Sequence, residues 1–316
     1  MAAMSPGNTV PPETTGAPPT AQPLPLTPGR RAALAIGVPV CLLLIAYGGF
    51  DLIANLGVGH FPVRYTAPAS TKSLTVTTDG GQLSLRPTAG RVTLAGTARY
   101  TLIRSTFTAR TADGNTALGY RCVTLPTEDC ALDATISAPA AMPVTASTAG
   151  GNASVAGLTG PVTLSLGGGN LSAGHISGPL SLNTSGGSVQ LTAITSPTLT
   201  AATGGGNIQA AGISSPAVTV TTGGGNIQAT GVSAAAVTAR TGGGDIEIVF
   251  SSVPRDIQVN TSGGDITLVL PRGTTAYHVI ATTSGGSIAD SLPQQTSSPN
   301  VIAASTGGGN ITIREQ

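Results

Sequence analysis

Tryptophan is missing from this 316-residue chain, aromatic side chains make up 3% of it and charged ones 9%. From Arg121 to Ile248 there is no Phe, Tyr or Trp, so that stretch has no platform for stacking a sugar ring or an unpaired base. Between Asp133 and Arg240 no residue is charged, and His175 is the sole titratable side chain. Sugar hydrolysis needs two placed carboxylates and lyase chemistry an acidic metal site with a base, so catalysis is not expected there. His175 reads as a turn or surface histidine. Lys72 is the only lysine, and 14 basic against 13 acidic residues leave no surplus to neutralise a phosphate backbone; nucleic acid is not an expected partner. The glycine runs lack the Lys of a phosphate-binding loop, so no cofactor is expected. With three cysteines, and with His60, His175 and His278 far apart, a zinc site is not expected either.

What the chain does have is Gly, 44 residues of it, with Thr, Ser and Ala, and a hydrophobic share of 40% that suffices for a core. Small β-tolerant residues punctuated by Gly predict short strands and tight turns. Residues 1–29 are rich in Pro, Thr and Ala without apolar periodicity, which predicts a disordered cytoplasmic tail. From Ala32 to Phe50 no residue is charged, Arg30 and Arg31 precede and Asp51 follows. That is long enough to cross the ~30 Å hydrocarbon layer as one helix. The basic N-terminal flank orients the tail inward and the rest outward. The expectation is a single-pass cell-membrane protein with an anchor over 30–55, a linker over 56–70 and an extracellular C-terminal part. A cleaved signal peptide is the competing reading; its apolar core is usually about 7–15 residues and a small-x-small site should follow, which is not seen here. Cys122 and Cys130 fall on the outward side, where thiols oxidise, and their spacing closes a loop around Leu125-Pro126-Thr127; a disulfide is predicted.

The strongest signal is a repeat. Thr-Gly-Gly-Gly-Asn-Ile begins at Thr203, Thr222 and Thr306, Thr-Gly-Gly-Gly-Asp-Ile at Thr241, and Thr-Ser-Gly-Gly-Asp-Ile at Thr261. The last glycines of the units are Gly151, Gly169, Gly187, Gly206, Gly225, Gly244, Gly264, Gly286 and Gly309, in steps that grow from 18 to 23 residues. An earlier cousin, Thr-Asp-Gly-Gly-Gln-Leu, begins at Thr78. Alternation turns Ile208, Ala210, Val218 and Val220 one way and Gln209, Thr219 and Thr221 the other. Two such strands cannot bury a core alone, so the units must stack. The expected fold is all-β: a parallel β-solenoid of about nine rungs over 148–316, behind an N-terminal β region over 71–147 that holds the disulfide loop. Ile208 is expected inside over Ile227 and Ile246, with an outer ladder of Thr203, Thr222, Thr241 and Thr261. Positive φ angles are expected at the glycine corners. An antiparallel β-sandwich of hairpins is the alternative. Only Asp245 and Asp265 put carboxylates directly after the last glycine, where they read as turn caps or as a weak Ca²⁺ site, stacked charges needing a cation between them.

These repeats, together with Val92-Thr93-Leu94-Ala95-Gly96-Thr97, the Cys122 and Cys130 pair and the turn Leu158-Thr159-Gly160-Pro161-Val162, resemble a bacterial family of uncharacterised cell-envelope proteins classed as candidate adhesins. The likeness spans residues 70–316 and implies a β-helix-like fold outside the membrane, with a role in adhesion or envelope stress and no catalytic residues. The expected function is a membrane-anchored extracytoplasmic adhesin-like protein that meets a cell-wall or cell-surface component or an envelope protein. The alternative is an envelope stress or assembly component signalling through its cytoplasmic tail.

Overall fold

The computed structural model describes residues 36–45, 47, 58–101, 103–123 and 130–316. The chain divides into two units, Met1–Leu52 and Ile53–Gln316. In the first, residues 36–45 are helical, and among the described residues no helix is long and apolar enough to cross a membrane. The rest of the expected anchor, the tail 1–29 and the start of the linker lie outside the described residues.

The second unit is built of short strands. Its first seven are β1 (Gly59–Thr66), β2 (Ser73–Thr78), β3 (Leu83–Thr88), β4 (Thr93–Tyr100), β5 (Thr106–Ala112), β6 (Asn115–Arg121) and β7 (Ala131–Pro139). The regular repeats follow as β8 (Val144–Thr148), β9 (Ala153–Ala156), β10 (Val162–Leu166), β11 (Leu171–Gly174), β12 (Leu180–Thr184), β13 (Val189–Thr195) and β14 (Leu199–Thr203). They continue as β15 (Ile208–Ser214), β16 (Ala217–Thr222), β17 (Ile227–Ser233), β18 (Ala236–Thr241), β19 (Ile246–Phe250), β20 (Asp256–Thr261) and β21 (Ile266–Leu270). Last come β22 (His278–Thr283), β23 (Ile288–Asp290), β24 (Val301–Thr306) and β25 (Ile311–Glu315).

They form two facing sheets. Sheet A has 13 strands in the order β1-β4-β7-β3-β9-β11-β13-β15-β17-β19-β21-β25-β23, and sheet B has 12 in the order β22-β24-β20-β18-β16-β14-β12-β10-β8-β2-β6-β5. Each rung is one strand of sheet B, a corner and one strand of sheet A, and in all but β6–β7 the corner is glycine-rich. Ile208 pairs with Ile227 and Ile227 with Ile246 in parallel register, all three about 1% exposed. The parallel solenoid is therefore the fold, and antiparallel pairing is confined to β1, β4 and β5 at one end. The nine rungs marked by Gly151 to Gly309 are present, and β2–β3 and β6–β7 add two more. Eleven rungs at about 4.8 Å make a rod of about 48 Å.

Stacking departs from chain order at both ends. β6–β7 lies outside β2–β3, and β24–β25 is inserted between β20–β21 and β22–β23. In the β6–β7 rung no glycine corner exists; Cys122 and Cys130 span it with the predicted disulfide. Tyr120, fully buried, donates from Oη toward the carbonyls of Arg99 and Ala131 at 3.1 and 3.2 Å, tying this rung to the antiparallel strands. β1 and β5 are the edge strands of the two sheets at this end.

The second corner of each rung explains a lapse in alternation. In β15, Ile208 and Ala210 point inward, Ala211 and Gly212 both point out, and Ile213 is inward again. Gly212 has φ +65°, a left-handed step that adds one residue and resets the phase. Its counterparts are Gly157 (φ 71°), His175 (φ 53°), Ala193 (φ 52°) and Gly231 (φ 66°). Each step buries the next apolar residue, the column Leu158, Ile176, Ile194, Ile213 and Val232, none more than 2% exposed. At about 1.5–3 kcal/mol per fully buried aliphatic side chain, that column repays the unusual backbone.

The glycine corners themselves work differently from expectation. From Gly187 onward their glycines are not left-handed. A Cβ at Gly225 would stand 2.1 Å from the Gly206 carbonyl oxygen, so the residue is glycine because successive backbones touch there.

Candidate interaction surface

Two polar columns run up the glycine edge of the rod. Thr203, Thr222, Thr241 and Thr261, expected outside, are 2–5% exposed and face inward. Alternation from Val218 and Val220 places Thr222 in the same phase, so the correction follows from strand geometry. Its Oγ1 donates to the Gly206 carbonyl at 2.8 Å and accepts the Gly225 N–H at 3.1 Å, bridging its own corner to the rung below. Thr184, Thr203, Thr241, Thr261, Thr306 and Thr283 make the same pair of bonds. Thr78 occupies the equivalent place above the disulfide-closed rung, where no glycine carbonyl is offered, and its buried Oγ1 has no partner among the described residues.

Outside, the residue after the last glycine caps the next rung. Asn207 Oδ1 accepts the Asn226 N–H at 2.8 Å, and Asn226 Oδ1 accepts the Asp245 N–H at 2.9 Å. Asp245 and Asp265 are brought together on adjacent rungs within this column. Asp245 Oδ1 accepts the Asp265 N–H at 2.8 Å, and Asp265 Oδ1 accepts the Asn310 N–H at 2.6 Å. Each carboxylate thus does what asparagine does elsewhere in the column. Among the described residues no three or more His, Cys, Asp or Glu side chains converge as a metal site. His175 sits exposed in the left-handed corner, away from this column.

Beside the caps lies the outer rank of sheet A, the third residue after each last glycine. In register it reads Ser84, Ser154, Ser172, Gln190, Gln209, Gln228, Glu247 and Thr267, with Thr135 beyond Ser84. Serines at 84, 154 and 172 are short, whereas the glutamines that follow are long, so the face sinks over the serines. The result is a groove of about 650 Å³ that crosses six strands from β7 to β15. Its floor is Ser84, Ser154 and Ser172; cap residues Asn152, Asn170 and Asn207 form one wall, and Gln190 and Gln209 close one end. At the other end stands Asp133, whose Oδ1 accepts the Gln82 N–H at 2.9 Å and whose Oδ2 lies 3.5 Å from the Arg99 guanidinium. Its lining offers amides and hydroxyls, with the one carboxylate already engaged. Such a lining can offer neutral hydrogen bonds. The repeat spacing contains this rank, since every member stands three residues past a corner glycine, but depth arises only when serine and glutamine ranks are seen side by side.

Residues 62–314 match the family described as Toastrack DUF4097. No curated protein matches the chain. Among solved structures, a candidate cell-adhesion protein from Clostridium sporogenes is similar at 12% identity and TM-score 0.23, covering 82% of this chain and 100% of its own. A candidate adhesin from Bacteroides fragilis has 13% identity and TM-score 0.35, with 82% and 97% covered. A candidate lipid-binding protein from Parabacteroides distasonis has 10% identity and TM-score 0.40, with 81% and 96% covered.

Proposed function

The chain belongs to the Toastrack DUF4097 family, and we propose that it is a membrane-anchored, adhesin-like interaction protein without catalytic activity. In this reading residues 32–50 hold it in the cell membrane, residues 1–29 face the cytoplasm and the rod stands outside. The charge pattern around residues 30–51 supports that orientation. The observation that carries the interaction reading is the groove on sheet A, a recessed, neutral, hydrogen-bonding surface several rungs long. Its occupant is a polar component of the cell wall, of a cell surface or of a neighbouring envelope protein.

The test is retention of the solubilised full chain on isolated envelope material. Ser154→Gln with Ser172→Gln raises the floor to the level of the glutamines while keeping the strands polar. Retention should fall about tenfold, equivalent to about 1.4 kcal/mol of binding. Unchanged retention would overturn the assignment of the groove. Deleting residues 1–29 should leave retention and the attachment phenotype intact; loss of that phenotype with binding preserved would favour signalling through the tail.

A further inference from the structure

Sheet B has its own depression, of about 400 Å³, where β5 and β6 close the rod. β5 is paired only with β6, which sets Arg110 opposite Ala117, Thr108 opposite Gly119 and Thr106 opposite Arg121. On the other side of β6, Ala117 aligns with Thr75 and Gly119 with Thr77. Ala117 and Gly119 therefore make a low floor between two rows of hydroxyls. A Cβ at Gly119 would come within 2.7 Å of Thr108 Oγ1 and fill it. Arg110 and Arg121, both exposed, stand at opposite ends, four residues apart in register, or about 13 Å along the strands.

Among the described residues neither arginine is ion-paired. The one ion pair among the described residues joins Arg99 to Asp133. Asp79, next to the Arg121 end, has Oδ2 taken by the Cys122 N–H at 2.8 Å. Away from the depression the same face continues as an uncharged rank in strict register, from Thr75 through Thr145, Thr163, Ser181, Thr200 and Thr219 to Thr238. A recess with a cationic fork at each end and rows of hydroxyls along both sides has the shape and chemistry of a site for a linear acidic polymer rather than for a flat headgroup surface.

We propose that this depression binds an acidic polysaccharide. Arg110 and Arg121 each take an acid group of the chain through the paired N–H donors of the guanidinium. The hydroxyls of Thr75, Thr77, Thr106 and Thr108 bind sugar hydroxyls between them. This site is on the opposite sheet from the groove of the proposed function and does not depend on it.

The experiment measures binding of the detergent-solubilised full chain to alginate, to neutral dextran and to phosphatidylglycerol vesicles. Alginate should bind in a salt-sensitive manner and dextran should not. R110Q with R121Q should weaken alginate binding at least tenfold, about what losing one charge-assisted hydrogen bond implies. R110K with R121K, which keeps the charge but loses the fork, should also weaken it. The sheet A variants Ser154→Gln and Ser172→Gln should bind alginate as the parent does, which separates this site from the groove. Alginate binding untouched by the glutamine pair, equal binding of dextran, or arginine-dependent binding of vesicles without alginate would each overturn the proposal.

Discussion

A methyl group placed at Gly225 should weaken the rod far more than one placed a single residue earlier. At 225 the Cβ would lie 2.1 Å from the Gly206 oxygen, 2.5 Å from its carbonyl carbon and 2.9 Å from the Asn207 nitrogen. Ordinary contact starts at 3.4 Å, so the two rungs must part by about 1.3 Å, and all three obstacles are backbone atoms. Parting breaks what holds the corner: Thr222 Oγ1 to the Gly206 carbonyl at 2.8 Å and the Asn226 N–H to Asn207 Oδ1 at 2.8 Å would both open past hydrogen-bonding reach. Overpacking of about 1–3 kcal/mol and two hydrogen bonds at about 1 kcal/mol each give about 4 kcal/mol. For a domain of this size that lowers Tm by about 8–16 °C.

A Cβ at Gly224 would meet no atom within 4 Å, and the backbone there is not left-handed, so Gly224→Ala should raise Tm by about 1–4 °C by restricting the unfolded chain. Gly212→Ala isolates the other constraint. With φ +65° and its nearest neighbour at 3.8 Å, it should lose about 1–2 kcal/mol from backbone strain alone. Circular-dichroism melts at one scan rate rank the three. If Gly225→Ala melts within about 2 °C of the parent, or no lower than Gly224→Ala, the contact argument for the corner is wrong.

Thr222→Val keeps the shape but strands the Gly206 carbonyl and the Gly225 N–H, and should destabilise by about 1–3 kcal/mol in a denaturant titration, whereas Thr222→Ser should retain most of the parent's stability. Ala193 already carries the left-handed backbone at φ 52°, so Ala193→Gly should gain about 1 kcal/mol; a loss in the same titration would mean that its methyl packs usefully. Asp245→Asn should leave the melt unchanged because Asn226 shows that an amide caps equally well, while Asp245→Ala should lose about 1 kcal/mol. Calorimetry with Ca²⁺ should show no saturable heat in the millimolar range, and an Asp245-dependent isotherm would reverse that expectation.

Much of the rod is legible in the sequence. Steps near 19 residues, with alternating strands between glycine corners, are enough to stack Ile208, Ile227 and Ile246 in register and to mark nine rungs. The errors have physical causes. Polarity alone puts Thr222 outside, although its phase with Val218 and Val220 puts it inside; a buried hydroxyl is acceptable because two glycine backbones satisfy it. The β6–β7 rung is hidden because a disulfide replaces its corner and leaves no glycine signature. Stack order at the ends cannot be read, since Thr-Ser-Gly-Gly-Ser at 283–287 pairs equally well with a rung above or below. The sheet A groove depends on differences in length between neighbouring ranks, and the arginine site on an antiparallel strand that the repeat does not encode.

The displaced order of the end rungs limits how such a rod can be assembled and altered. β22–β23 precedes β24–β25 in the chain yet sits beyond it, with the later rung between it and β20–β21. The terminal rung therefore takes its parallel partners in both sheets from a segment that follows it in the chain. A rod built this way can be lengthened by duplicating an interior rung, where one corner is interchangeable with the next. A unit joined directly after β25 would not extend it, because β25 is flanked on both sides within the stack and does not form its outer face.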